Sequence, residues 1–335
     1  MSDVITLGHG AGGTAMHGMI RDLFLSRFKS PKLHLLNDAA MLSVASDRLA
    51  FTTDSYVVQP LEFPGGNLGK LAICGTVNDI AVMGAKPLYL SAGFILEEGL
   101  PFAMLETIVN SMAETALEAG VEIVTGDTKV VTRGECDKLF INTSGIGVYP
   151  LGYGLCAAPP AQNDVIIVSG TIGEHGVAVL VGRGALHFEL AIESDCAPLN
   201  GMIASVLNEC SGVKWMRDAT RGGVAAVLSE FAEQQQAGLL IEEHLIPVRP
   251  EVNAVCELLG FDPLHLANEG KIVLVVKSEA ASQVLELLHR HPFGEQAQVI
   301  GAVTGDARGY VRVKTLSGGI RRLQQPAGEL LPRIC

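Results

Sequence analysis

A run rich in glycine and proline, residues 149–163, separates two stretches that each alternate short apolar strands with helices. A chain of 335 residues rarely grows one continuous core. The break therefore predicts two domains: an N-terminal segment over 1–36, a first α/β domain over 37–150, a second, α+β domain over 164–316, and a flexible tail over 317–335. In the first half a strand at 49–53 ends in Asp54-Ser55, and a helix follows at 64–84. A strand at 88–95 leads to a helix at 101–119 that opens on a proline and stops at Gly120. Residues 121–124 form a buried strand running into Thr125-Gly126-Asp127-Thr128-Lys129, with another strand at 138–148. The second half carries strands at 164–169, 272–276, 298–303 and 310–314, and helices at 224–236 and 279–289.

Composition narrows the function classes. Hydrophobic residues make up 48% of the chain, ample for two cores, and the net charge is −12 from 24 basic and 36 acidic residues. That balance opposes non-specific nucleic-acid binding and fits a soluble, cytoplasmic protein. Met1-Ser2-Asp3-Val4 has neither a basic start nor an apolar run, so no signal peptide is expected. The longest apolar stretch, 71–96, is interrupted by Asn78, Asp79 and Lys86, so no membrane span is expected. The seven cysteines contain no C-x-x-C pair, which argues against a zinc ribbon or a thioredoxin-like dithiol. Cys74, Cys210 and Cys256 read as small core residues. A reducing compartment would keep all seven as thiols.

Four aspartates mark the first half: Asp38 in Asn37-Asp38-Ala39-Ala40, Asp54, Asp79 inside the helix, and Asp127. Asp54 and Asp127 stand at the expected carboxyl ends of strands, where sheets of this kind bind ligands. Several carboxylates without a His/Cys cluster suit a hard cation such as Mg²⁺ bridged to phosphate oxygens. Taken singly each aspartate reads as a cap or turn residue; taken together the metal reading is favoured. Gly8-His9-Gly10-Ala11-Gly12-Gly13 matches G-x-G-x-x-G only formally. It reads either as a nest for anionic oxygens or as a plain loop. Gly69-Lys70 is no Walker A motif, because Pro64 and Leu71 occupy its first glycine and its Ser/Thr positions. Arg217-Asp218-Ala219-Thr220-Arg221-Gly222-Gly223 reads either as an acid- or phosphate-binding loop or as a helix start with solvated charges.

The tail ends Leu331-Pro332-Arg333-Ile334-Cys335. Ser317-Gly318-Gly319 and the Gln- and Gly-containing 324–328 make it loop-like. Ten extended residues span at most ~33–36 Å, enough to reach a cleft. Its terminal thiol is either a reactive group on an arm or an incidental cysteine on a frayed end.

The motifs Asn37-Asp38-Ala39-Ala40, Thr53-Asp54-Ser55, Asn78-Asp79-Ile80-Ala81 and Gly126-Asp127-Thr128 resemble the ATP-binding superfamily of aminoimidazole ribonucleotide synthetase and thiamine-monophosphate kinase. Within it the whole chain resembles the HypE family of hydrogenase maturation factors, on Phe63-Pro64-Gly65-Gly66-Asn67, the 125–131 and 217–223 motifs, Ala267-Asn268-Glu269-Gly270-Lys271 and the terminal Pro332-Arg333-Ile334-Cys335. The resemblance implies a two-domain aminoimidazole ribonucleotide synthetase-like fold, α+β (α/β), with mixed sheets flanked by helices. It implies ATP and Mg²⁺ as cofactors and a homodimer. The implied activity is a carbamoyl dehydratase: the carbamoyltransferase HypF loads a carboxamide on Cys335, ATP drives its dehydration to a thiocyanate, and the cyanide passes to iron on HypC–HypD for the [NiFe]-hydrogenase. By the same resemblance Glu269 is the base and Lys129 its companion. Asp54, Asp79, Asp127 and Asp38 are the metal candidates. Lys70, Asn78, Asp38, His9, His175, Arg217 and Arg221 are the nucleotide candidates. The rival readings are a small-molecule kinase and a non-catalytic ATP-binding scaffold.

Overall fold

Strand β10, Ile272–Val276, is apolar at every position and buried at every position. It lies between two neighbours in a sheet that is covered on both faces, so neither face of the strand can be polar. Val273 and Val275 enter one core with the helix Gly223–Gln235, while Ile272, Leu274 and Val276 enter another with the helices Asn200–Glu209 and Ala281–His289.

The computed structural model describes residues 3–150, 152, 154–184, 191–306, 309–324, 331 and 333–335. The first domain holds β1 (Leu49–Tyr56), β2 (Glu62–Phe63), β3 (Gly66–Asn67), β4 (Lys86–Glu97), β5 (Glu122–Val131) and β6 (Leu139–Val148). Four of these form a mixed sheet in the order β1-β6-β4-β5, antiparallel except for β4 with β5. The second domain holds β7 (Val165–Val168), β8 (Val213–Asp218), β9 (Gly238–Glu242), then β10, β11 (Gln298–Thr304), β12 (Val311–Lys314) and β13 (Ile320–Arg322), in the order β13-β12-β9-β11-β7-β10-β8.

The helix Leu68–Val82 opens where the Asn67 side chain accepts from the N–H groups of Gly69 and Lys70 at 2.9 and 3.0 Å. It is buried nearly all round, because it packs on the first sheet, on the helix Phe102–Ala119 and on the second domain. Its Ala81 and Val82 share a core with the second domain. Conversely Val179, Cys196 and Ala267 of the second domain belong to the core of the first.

Several expected boundaries move. The Pro64–Asn67 stretch is a β2–β3 hairpin rather than the first turn of the helix. β1 and β5 run on to Tyr56 and Val131, so Asp54 and Asp127 lie within strands and not at their ends. Arg217 and Asp218 close β8 instead of forming a loop. β13 pairs with β12 and Leu323 is buried, so the second domain extends past 316 and takes the first part of the expected tail. Residues 325–330 of that tail lie outside the described residues.

Leu274→Ala in β10 is expected to cost about 2–5 kcal/mol, since a fully buried side chain leaves a cavity between two helices and two strands. The check is the shift of the denaturation midpoint against wild type.

Candidate active site

Strand alternation points Thr52, Asp54 and Tyr56 of β1 at the helix Leu68–Val82, while Phe51, Thr53 and Ser55 face outward and are exposed. Asp79 on that helix meets this row: the Thr52 hydroxyl donates to Asp79 Oδ2 at 2.8 Å. The Tyr56 hydroxyl donates to Asp54 Oδ2 at 3.3 Å. Gly75 makes the approach possible, because a Cβ there would stand 2.3 Å from the Tyr56 oxygen. The second domain brings Asp218 from the end of β8 and Glu269 from the turn before β10, both buried.

These carboxyl groups feel one another. Burial first, then the charges of Asp218 and Asp54, push Asp79 up to about 7. Burial pushes Asp218 up to about 6. Glu269 is held well above the usual carboxylate range by burial and by the nearby Cys196, Asp218, Asp195 and Asp54, and its Oε1 has no hydrogen-bond partner among the described residues. The site is therefore an uncompensated acidic cleft built from both domains.

The loop that presents Glu269 is braced by the segment 193–199. Asp195, with its side chain only 2% exposed, accepts from Glu269 N at 3.1 Å and Gly270 N at 3.1 Å and pairs with Lys271 at 3.2 Å. Gly270 has to be glycine: a Cβ there would fall 1.8 Å from the Asp195 carbonyl oxygen. Ala197 N donates to Glu269 O, and Asn78 grips both Ala197 O at 3.0 Å and Leu199 N at 2.7 Å. Asn78 is thus a domain joint with both ends of its amide spent, not a nucleotide contact.

The chain end reaches the same region. Ile334 is buried, Cys335 packs against the core that includes Val179, Cys196 and Ala267, and Val57 N donates to Cys335 O at 3.2 Å. His175, expected at phosphate, instead joins Ile334 O at 2.8 Å through Nε2 and Ser194 Oγ at 2.8 Å through Nδ1. Burial lowers its affinity for a proton. The terminal residues form a seated end.

The four sequence-predicted aspartates do not converge. Asp127 sits in register with Gly93, Asn142 and Ser55 on the outward face of the sheet, one pleat out of phase with Asp54. Its carboxylate, lowered by a hydrogen bond from Lys129, pairs with that lysine at 2.8 Å in the open. Lys129 and Glu269 are likewise on different sides of the first sheet. Asp127 and Asp38 line a separate cavity of about 910 Å³, with Lys32, Arg21 and His17 on its walls. Lys70 Nζ donates to Gly65 O at 3.2 Å beside the cleft. His9 accepts from Thr6 N at 3.1 Å and serves the local turn. Arg217 pairs with Glu230 at 2.6 Å, its charge also acting on the neighbouring Asp218, and Arg221 is exposed.

Among the described residues, no three His, Cys, Asp or Glu side chains form a metal cage. Mg²⁺ does not require one, because it takes one or two carboxylates and completes its shell with phosphate oxygens and water. Asp54 and Asp79, repelling each other in the cleft, fit that partial donor set.

Comparison with known proteins decides the family. Residues 36–149 match the AIR synthase related protein N-terminal domain, and 161–314 match its C-terminal domain. The chain is 53% identical to the carbamoyl dehydratase HypE of Escherichia coli (strain K12), covering 99% of both chains. The chain belongs to the HypE family. Two solved structures of the family superpose on it. One is the hydrogenase maturation protein HypE in complex with ATP (46% identical, TM-score 0.93, 98% of this chain and 99% of that chain). The other is the HypE–HypF complex (46% identical, TM-score 0.80, 92% of this chain and 99% of that chain). Against the HypE fold, the two-domain mixed α/β architecture expected from the sequence holds, each sheet flanked by helices.

Asp79 sets a pH dependence of stability. Its folded value, about 7, lies above the ordinary 3.8, so the folded state holds this proton more tightly than the unfolded chain. The resulting stabilisation is full below about pH 4 and is lost as pH rises through 7. Asp79→Asn is therefore expected to melt higher than wild type at pH 8 in chelator and to lose that advantage near pH 4, measured as the difference in Tm between the two proteins.

Proposed function

We propose that this chain is an ATP-dependent carbamoyl dehydratase of hydrogenase maturation, turning an S-carboxamide on Cys335 into a thiocyanate. The full-length identity of 53% to a carbamoyl dehydratase carries the reading, supported by a terminal thiol whose chain end is seated at the domain joint. A small-molecule kinase would have no use for that seat.

The reaction needs a leaving group on carbon. The carboxamide oxygen attacks the γ-phosphorus of ATP, and ADP departs. Phosphate then leaves the carbon as the C≡N bond forms and the nitrogen gives up two protons. One of these protons ends on the phosphate and the other is released, so the net change is S-carboxamide plus ATP to thiocyanate, ADP, phosphate and a proton. Catalysis of such a step is chiefly positioning and charge neutralisation, with a base in hydrogen-bond reach. Glu269 is the proposed base, and its buried, poorly satisfied carboxyl suits proton capture from a small neutral group. Asp54 and Asp79 are the residues to hold Mg²⁺, which when bound would neutralise phosphate charge. Lys70 stands at the cleft rim as a phosphate candidate.

Asp38, Asp127 and Lys129 enter this reading through the outward sheet face. Leu49, Phe51 and Ile95 are exposed there, with Phe51 at 72%. An apolar face of this kind suits a second copy of the chain. HypF is the proposed donor of the carboxamide, since a HypE–HypF complex has been solved for a relative. HypC–HypD is the proposed acceptor of the cyanide. No helix of the described residues is long and apolar enough to cross a membrane; a cytoplasmic location is part of the proposal.

Intact-mass analysis after incubation with carbamoyl phosphate, ATP and the transferase tests the reading. Wild type should gain the mass of one carboxamide and then lose one water. Cys335→Ala should show neither change; an equal adduct on that variant would remove the carrier role. Glu269→Gln should bind ATP normally and stop at the carboxamide, with turnover reduced about 10²–10⁴-fold. Complete conversion by Glu269→Gln would rule it out as the base.

A further inference from the structure

We propose that Arg333 is a positioning residue, and that its ion pair with Asp137 latches the chain end so that Cys335 is held at one place. The proposal rests on the reading of Cys335 as the carrier thiol and adds what holds that carrier still.

Three separate elements converge on this one residue. Its carbonyl accepts from Gln59 N at 3.2 Å, on the segment after β1, and from the Arg183 guanidinium at 2.8 Å, at the end of the helix Glu174–Gly182. Its guanidinium donates to Gln59 Oε1 at 2.8 Å and pairs with the Asp137 carboxylate from the β5–β6 loop. The contacts with Val57 and Gln59 run two residues apart on both segments, so the end lies beside 57–59 as an added strand does. Arg333 itself has φ 56°, a left-handed backbone that arginine rarely adopts, and the surrounding bonds hold it there.

The charges explain why Asp137 matters. Burial, and then the nearby charge of Arg333, oppose the charge of Arg183. Asp137 supplies the offsetting carboxylate. The loop presents it firmly: Gly134 N donates to Glu97 Oε1 at 2.6 Å, and Glu97 N donates to Lys138 O at 2.8 Å. The Asp137 side chain is 55% exposed, so the latch is open to solvent and to salt. A partly exposed pair contributes modestly, which suits a latch that must release.

Carboxypeptidase Y trimming of the full-length protein, followed by intact mass, reads how long the end stays seated. A synthetic peptide of the last ten residues controls for the enzyme's own response to salt. Asp137→Ala should be trimmed about two- to fivefold faster than wild type. About 1 M sodium chloride, where the screening length is about 3 Å, should speed trimming of wild type but not of Asp137→Ala. The double variant Asp137→Ala/Arg333→Ala should be trimmed no faster than Arg333→Ala alone. A wild-type rate for Asp137→Ala, or single-variant accelerations that multiply in the double variant, would overturn the latch. Trimming does not depend on any chemistry at the thiol, so a failure of carboxamide loading with a normal latch response would strike the carrier reading and leave the latch standing.

Discussion

One buried carboxylate, that of Asp195, holds the working parts of this molecule in register. It takes the N–H groups of Glu269 and Gly270 and pairs with Lys271, so the loop carrying the proposed base cannot move without exposing a charge to a dry site. Its neighbours extend the brace in both directions. Ser194 supports His175, which holds the carbonyl of Ile334; Ala197 and Leu199 are clasped by Asn78 of the first domain. The short segment 193–199 thus ties the base, the chain end and the domain joint to one another. Displacement of any of the three is felt by the other two.

The acidic cleft beside this brace is tuned to be incomplete. Burial, and then the charges of Asp54 and Asp218, raise the proton affinity of Asp79 and Glu269, and burial with Asp54 raises that of Asp218. Positive charge entering the cleft would favour the ionised forms of Asp79, Asp218 and Glu269, because an opposite charge within a few ångströms favours the ionised form. Tyr56, also held far above its ordinary range by burial and by Asp54, stays a neutral donor throughout. Cys196, raised first by its hydrogen bond with Cys74 and then by burial, stays a thiol.

Much of this was readable from residue types, and the failures have definite causes. The helix stop at Gly120 (φ 67°) and the all-apolar 272–276 follow from local chemistry, which tertiary packing then reinforced. Asp54 and Asp79 are readable as two of the four metal-candidate aspartates, and Glu269 through its motif. Asp218 was passed over for Arg217 although they are adjacent. Alternation along β8 sends one inward and the other to Glu230, and only recognition of the strand would have revealed it. Asp127 groups with Asp54 in sequence because both stand at expected carboxyl ends of strands; pairing register, which no single strand carries, puts them on opposite faces. The segment 193–199 showed no signal at all. Its function resides in backbone groups, one serine hydroxyl and one aspartate, and its partners lie far away along the chain, at 64, 78, 175 and 269–271.

The seated end is the hardest feature to see in sequence, and its energetics show why an arm and a seat are one device. Ordering residues 333–335 costs about 3–6 kcal/mol in backbone freedom at about 1–2 kcal/mol per residue. Against this stand burial of the Ile334 side chain, about 1.5–3 kcal/mol, and five hydrogen bonds, from Val57, Gln59, His175 and Arg183 and from Arg333 to Gln59. At about 0.5–1.5 kcal/mol each, these contribute roughly 2.5–7.5 kcal/mol. The favourable terms together, roughly 4–10.5 kcal/mol, exceed the ordering cost by only a few kcal/mol. A seat of that strength is occupied yet easily left, as a thiol that must visit a partner and return requires. Four of the five bonds fall on main-chain carbonyls of the end, so selectivity for this tail rests on the side chains of Ile334 and Arg333. A terminus with a bulkier or charged residue in place of Ile334 would keep the backbone bonds and lose the burial, and the balance would tip toward the open arm.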